Sequence, residues 1–236
     1  MPDKPIDIDA KLEQVRQEYL MRITRGNGAL LREVESYAAA RTGKMLRPRM
    51  LLSTAATLGH DAFNSRRTLL LAVAVEMLHN ASLLHDDVID NDLQRRGQPS
   101  VNARYGNATA VLVGDYLLAQ LMNLLNEVDD IDASRRMNKT VLSMAEAELL
   151  AQELLNQPNN LTAKQYLTII DGKTAQLFAT AAALGNPAYE DFGLHYGRLF
   201  QLRDDIADGD NNQFTEDLIR QEEDAINALE NKIAIL

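Results

Sequence analysis

The chain has 236 residues and a formal net charge of -10; 46% of its residues are hydrophobic but only 5% are aromatic, with no Trp and no Cys. That acidity excludes a phosphate backbone as the main partner, because nucleic-acid affinity rests on Lys and Arg, and the absence of Cys excludes a disulfide framework and thiolate chemistry, which fits the cytoplasm. The length allows one or two domains with a sizeable core, and a core of Leu, Ala, Ile, Val and Met favours helices over strands.

Residues 1–9 are polar, carry Pro2 and Pro5, and are expected to be disordered without any apolar run of the signal-peptide kind. No stretch reaches about 18 consecutive apolar residues, so no transmembrane segment is expected and the chain reads as soluble. The basic element Gly43-Lys44-Met45-Leu46-Arg47-Pro48 comes next. From near Ser65, Leu69, Ala72, Val73, Glu76 and Leu83 recur at three- and four-residue steps and predict a long helix that ends in Asp86, Asp87 and Asp90. The stretch 97–99 reads as a break. Asn107 is a candidate cap for a helix carrying Leu117, Leu118, Leu121, Met122 and Leu125; Asp132 is a candidate cap for the next. After a break at 157–160, Thr162 and Gln165 form a capping box, so a helix should start there and run toward Gly185. A break at 185–187 precedes the apolar, Gly-containing segment 193–202, which leads into Asp204, Asp205 and Asp208; Thr215 is a last candidate cap. About eight helices are expected, with no alternating strand. No linker splits the chain, so 1–236 is read as a single all-α bundle with a central cavity, in which the two acidic motifs come together.

Asp86 and Asp90 lie four residues apart, which puts their carboxylates on one helix face about 5 to 6 Å apart. A solvated acidic helix end is the plainer reading, since such charges repel by under about 1 kcal/mol in water but roughly 3 kcal/mol at an effective dielectric of 20. The same spacing recurs at Asp204 and Asp208 on a second apolar helix. Two inward-facing copies would need divalent cations, and hard oxygen ligands favour magnesium held jointly with substrate phosphates. Lys44, Arg47, Arg95, Arg96 and Lys173 supply positive charge, and His79 lies two turns before Asp86 on nearly the same face.

In order, 43–48, 76–90, Arg95-Arg96-Gly97-Gln98-Pro99, Gly114-Asp115, Lys173-Thr174 and Phe200-Gln201-Leu202-Arg203-Asp204-Asp205-Ile206-Ala207-Asp208 resemble the motifs of the trans-isoprenyl diphosphate synthase family over about residues 40 to 210. The resemblance implies an isoprenoid-synthase helical fold and magnesium-dependent condensation of isopentenyl diphosphate with an allylic diphosphate. Asp86, Asp90 and Asp204 would be the principal metal ligands, and Asp87, Asp205 and Asp208 would support the metal and diphosphate shell. Arg95 and Lys173 would hold the allylic diphosphate, and Lys44, Arg47, His79 and Arg96 that of isopentenyl diphosphate. Thr174 and Gln201 would line the reacting region.

The resemblance also implies that Ala81 and Ser82 shape the wall of the elongation pocket. Both are small, as in medium- and long-chain members; close helix packing is the alternative, and Met77, Leu78, Leu118 and Met122 are candidates for the floor. Ala147 and Ala151 stand where the family commonly has Gly and Gln. From 209 to 236 the only basic residues are Arg220 and Lys232, against seven acids, so this stretch is expected to be a shortened terminal helix. A homodimer is the leading expectation, with a regulatory subunit of a heteromer as the alternative. A class I terpene cyclase ranks last, because it would leave Lys44, Arg47, His79 and Arg96 unexplained. Peripheral contact with a membrane would suit a long apolar product, but no basic amphipathic helix is evident.

Overall fold

The apolar run after Ser65 dictates the organisation of the N-terminal half. In a computed structural model, which describes residues 6–24, 26–39, 43–155, 161–209 and 214–233, Ser65 caps the long helix by accepting the Thr68 amide at 3.0 Å. Every residue from Leu70 to Leu78 in that helix is buried, so it is surrounded by others. Two units follow from the contacts, Met1–Ile131 and Asp132–Leu236.

In the first unit, α1 (Ile8–Ile23), α2 (Ala29–Ala39), α3 (Leu46–Ala56), α4 (His60–Asn64), α5 (Arg66–Ile89), α6 (Val101–Tyr105) and α7 (Asn107–Val128) follow one another, with β1 (Gln94–Arg95) and β2 (Gln98–Pro99) between α5 and α6. α5 is the central helix, packed by α1, α3 and α7. Charges tie three of these together: Arg22 meets Glu18 and Glu127 at 2.7 Å each, and Arg66 meets Glu18 at 2.9 Å and Glu127 at 3.3 Å. α5 and α7 are long and apolar enough on average to cross a membrane, although neither is an uninterrupted apolar run; the apolar window of α5 is mostly buried in protein.

The second unit holds α8 (Ile131–Leu155), α9 (Ala163–Ile170), α10 (Gln176–Gly185), α11 (Glu190–Asp208) and α12 (Thr215–Ile233), with a π-turn at Asp171–Ala175 and a short 3-10 turn at Pro187–Tyr189. Glycines let α11 approach α10: a Cβ on Gly193 would sit 2.6 Å from the Phe178 carbonyl oxygen, and one on Gly197 would sit 2.6 Å from the Ala175 Cα. α12 closes a core of Tyr166, Ile170, Leu202 and Leu218, flanked by Phe214 and Ile219.

The Thr162–Gln165 capping box forms with both reciprocal bonds. The expected run to Gly185 is also present, but the π-turn interrupts it. Other expectations need correction. The described residues contain twelve α-helices, not about eight; the short α4 and α6 escape a periodicity test, and the π-turn divides one expected helix into α9 and α10. Order begins earlier than residue 10: Asp7 caps α1 through the Ala10 amide at 2.9 Å, and Asp9 meets Arg49. Asn107 is the first helical residue behind Gly106, Asp132 lies inside the first turn of α8, and Thr215 opens α12, so none is the flanking cap expected of it. The break at 157–160 lies outside the described residues. The hairpin pairs Gln94 with Pro99 and Arg95 with Gln98. Its turn residues Arg96 (φ 54°) and Gly97 (φ 74°) both take the left-handed conformation that two-residue hairpins of this twist require.

Candidate active site

The first acidic motif occupies the last turn of α5. Asp86 is half-buried and Asp90 is exposed, with the Asp90 amide donating to the Asp86 carbonyl at 2.8 Å. Asp87 behaves differently. It is 3% exposed and accepts from Arg95 Nε at 2.7 Å and from Arg95 Nη2. Its carbonyl receives the Asn102 side-chain amide at 2.8 Å and the Asp92 amide at 2.9 Å. Burial pushes the Asp87 carboxyl up, Arg95 opposes that, and Asp92 and Asp90 add to the rise. Asp87 therefore fastens the hairpin to α5 and sets the position of Arg95.

The basic residues of this unit converge on the same helix. A Cβ on Gly43 would lie 2.5 Å from Arg96 Nη2, so the Arg96 guanidinium rests against the Gly43 backbone. Arg47 Nη1 lies 3.2 Å from His79 Nε2. Arginine can only donate, so Nε2 accepts and the imidazole proton resides on Nδ1. Burial holds His79 well below the imidazole range, with Arg47, Arg96 and Arg95 adding to the effect. The positive charge of this group is therefore carried by the arginines. Lys44 stands exposed beside Gly43. A cavity of about 50 Å³ opens among Asn80, Leu83, Asp87, Arg95 and Arg96. Gly114 admits His85, since a Cβ there would lie 2.3 Å from His85 Nε2; the ring also lies 3.5 Å from Asp115.

The second unit repeats the division among its aspartates. Asp204 and Asp208 are exposed on α11, whereas Asp205 is half-buried and committed inward. It accepts from Gln201 Nε2 at 2.8 Å and from the Tyr166 hydroxyl. Gln201 in turn accepts from the Thr174 hydroxyl at 2.7 Å, and Lys173 Nζ lies 2.8 Å from Glu148. Lys173 and Thr174 both belong to the π-turn, an inserted residue that often marks a functional position in a helix.

In each motif the aspartate at the second position serves an internal partner, and at the first and fifth positions Asp90, Asp204 and Asp208 are exposed and Asp86 is half-buried. Among the described residues no group of three or more His, Cys, Asp or Glu is placed to hold a metal ion. Magnesium takes one or two carboxylates together with water and substrate phosphate oxygens, so the paired carboxylates of each motif suit that ion.

Residues 28–221 match the family model for polyprenyl synthetases. The chain belongs to the polyprenyl synthetase family. It is 40% identical over 189 residues to the all-trans-nonaprenyl-diphosphate synthase (geranyl-diphosphate specific) of Rhodobacter capsulatus, covering 76% of this chain and 57% of that protein. A decaprenyl diphosphate synthase structure from Rhodobacter capsulatus is similar with a TM-score of 0.79 and 32% identity, covering 85% of this chain and 64% of that one. A polyprenyl synthase from Caulobacter crescentus CB15, solved with calcium and isoprenyl diphosphate, gives 0.78 and 33% over 86% of this chain and 66% of that one. The chain thus spans less than two thirds of the length of these relatives. The fold is the all-α isoprenoid-synthase fold that the motifs implied.

The chain also carries features around these residues that its motifs do not reveal. Tyr166, Arg198 and Glu148 have no distinctive sequence signal; each is recognised only by the partner it meets. Ala147 is buried against Gly172, where a Cβ would approach its own Cβ to 2.3 Å, so the methyl at 147 is accommodated by the glycine of the π-turn. Ala81 is fully buried, as close packing requires, and Ser82 is half-buried with its hydroxyl on the His79 carbonyl at 2.9 Å. Met77 and Leu78 are buried, but Met122 is 61% exposed and is corrected as a floor residue: helical spacing places it on the outer face of α7.

Proposed function

We propose that the chain condenses isopentenyl diphosphate with an allylic diphosphate, as a trans-prenyltransferase. The observation that supports this most strongly is the shared plan of the two aspartate motifs: Asp90, Asp204 and Asp208 are exposed and Asp86 half-buried, and in each motif the second aspartate meets a side chain brought from elsewhere, Asp87 that of Arg95 and Asp205 that of Tyr166. Magnesium bound through Asp86 and Asp90 and through Asp204 and Asp208 would neutralise charge on the allylic diphosphate oxygens. Arg95, held by Asp87, and Lys173, held by the π-turn, would stabilise the charge that grows as the allylic carbon–oxygen bond breaks. Lys44, Arg47, His79 and Arg96 would grip the diphosphate of isopentenyl diphosphate. Its terminal CH2 carbon forms the new carbon–carbon bond to the allylic carbon, which leaves positive charge on the adjacent methyl-bearing carbon, and the CH2 on the far side of that carbon loses a proton to the departing diphosphate. Alignment of the two substrates supplies much of the rate, and no protein nucleophile is needed. The small residues Ala81 and Ser82 favour a medium or long product, and the protein would act as a homodimer.

The test is incubation of purified protein with labelled isopentenyl diphosphate and geranyl diphosphate, with and without magnesium. Magnesium-dependent elongation is expected, and Asp86→Ala and Asp204→Ala should each lower kcat by about a hundredfold or more. Undiminished turnover in both variants would refute the roles assigned to these aspartates.

A further inference from the structure

We propose that Arg198 is a positioning residue that sets the height of Lys173 by gripping the first residue of the π-turn and tying it to α12. The inference rests on the reading of Lys173 as a ligand of the allylic diphosphate.

The π-turn at Asp171–Ala175 interrupts the α-helical run, and contacts from outside the helix bear on its shape. One side is held by packing: the Cβ that Gly172 lacks would meet the Ala147 Cβ at 2.3 Å and the Ser143 carbonyl oxygen at 2.6 Å, which brings the turn onto α8 at backbone distance. Charge holds the other. Asp171, two residues before Lys173, accepts Arg198 Nε at 2.5 Å on one oxygen and Nη2 at 2.8 Å on the other. Such a fork fixes a carboxylate in both distance and plane, which a lysine cannot do. Arg198 Nη1 also donates to Glu222 of α12 at 3.4 Å, and the other oxygen of Glu222 meets His195 Nδ1. Glu222 is only 5% exposed, so its charge depends on these partners. One guanidinium thus joins α11, the π-turn and α12.

The turn also offers Thr174 to Gln201 at 2.7 Å, and Gln201 reaches Asp205 at 2.8 Å. That hydrogen-bonded chain is anchored on α11, and a shift at Asp171 would fall on Lys173. Small misplacements of a binding group are costly because the substrate must meet all its contacts at once.

The test is calorimetric binding of geranyl S-thiolodiphosphate, an unreactive allylic analogue, in the presence of magnesium, to wild type, Arg198→Met, Lys173→Ala and the double variant. Steady-state constants for geranyl and isopentenyl diphosphate accompany it. Arg198→Met should weaken analogue binding and raise KM for geranyl diphosphate by about tenfold, while KM for isopentenyl diphosphate changes by less than about twofold. In the Lys173→Ala background the same change should have almost no further effect, and Arg198→Lys should restore only part of the loss because it keeps the charge without the fork. Additive losses, or equal losses for both substrates, would overturn the positioning role. A wild type that does not bind the analogue would overturn the reading of Lys173 and the inference with it, an outcome distinct from unchanged binding in Arg198→Met. Asp171→Asn carries the same test if Arg198→Met fails to fold.

Discussion

At the residue scale, the most consequential feature outside the site is Glu35 on α2. It is 1% exposed, neither carboxylate oxygen has a hydrogen-bond partner among the described residues, and burial pushes its pKa up to about 8. An unfolded glutamate releases its proton near pH 4.5. Between that pH and about 8 the unfolded state therefore binds fewer protons than the native state, and stability falls as pH rises. Glu35→Leu should stabilise the protein more at pH 8 than at pH 5, with a difference in unfolding free energy on the order of 3 kcal/mol, measured by urea denaturation across that range. Ser82 invites a second substitution. It is half-buried, one turn before Asp86, so Ser82→Phe should fill space beside the growing chain and shorten the product, as read by chromatography of the dephosphorylated alcohols. An unchanged product distribution would assign Ser82 to helix packing alone.

At the element scale, the π-turn between α9 and α10 holds Lys173 and Thr174, and its fit on α8 is the part most sensitive to change. Gly172→Ala would drive a methyl into Ala147 and the Ser143 carbonyl, which should destabilise the protein by about 1 to 3 kcal/mol and lower activity. Adding Ala147→Gly should recover only part of the stability, because a side chain can be trimmed but the backbone oxygen at 2.6 Å remains; urea denaturation of the single and double variants distinguishes the two contributions. Much at this scale was legible in sequence. The start of α5 at Ser65, the capping box at Thr162 and the stop at Gly185 all follow from residues within a few positions of one another. The π-turn, the hairpin and the short helices were not legible, since a single inserted residue or a five-residue helix leaves too little periodicity to read.

At the scale of the whole molecule, Val111, Leu112 and Met122 leave α7 with an exposed apolar side, Leu112 at 67% exposure. A homodimer that covers this face is the arrangement expected, and replacing Leu112 and Met122 with Glu should yield a monomer by light scattering; a wild type that is already monomeric would refute it. By itself the sequence determined the helical class, the family, and both aspartate pairs, because four-residue spacing places side chains on one face whatever surrounds them. Tertiary structure alone decided which aspartate of each motif is withdrawn. Asp87 is claimed by Arg95 from a hairpin that periodicity does not show, and Asp205 by Tyr166, 39 residues away in sequence. Folding likewise put Glu35 out of reach of water and Arg198 on Asp171. Such outcomes depend on partners brought from distant positions, and burial raises the consequence of each pairing by removing the solvent that would otherwise satisfy the same groups.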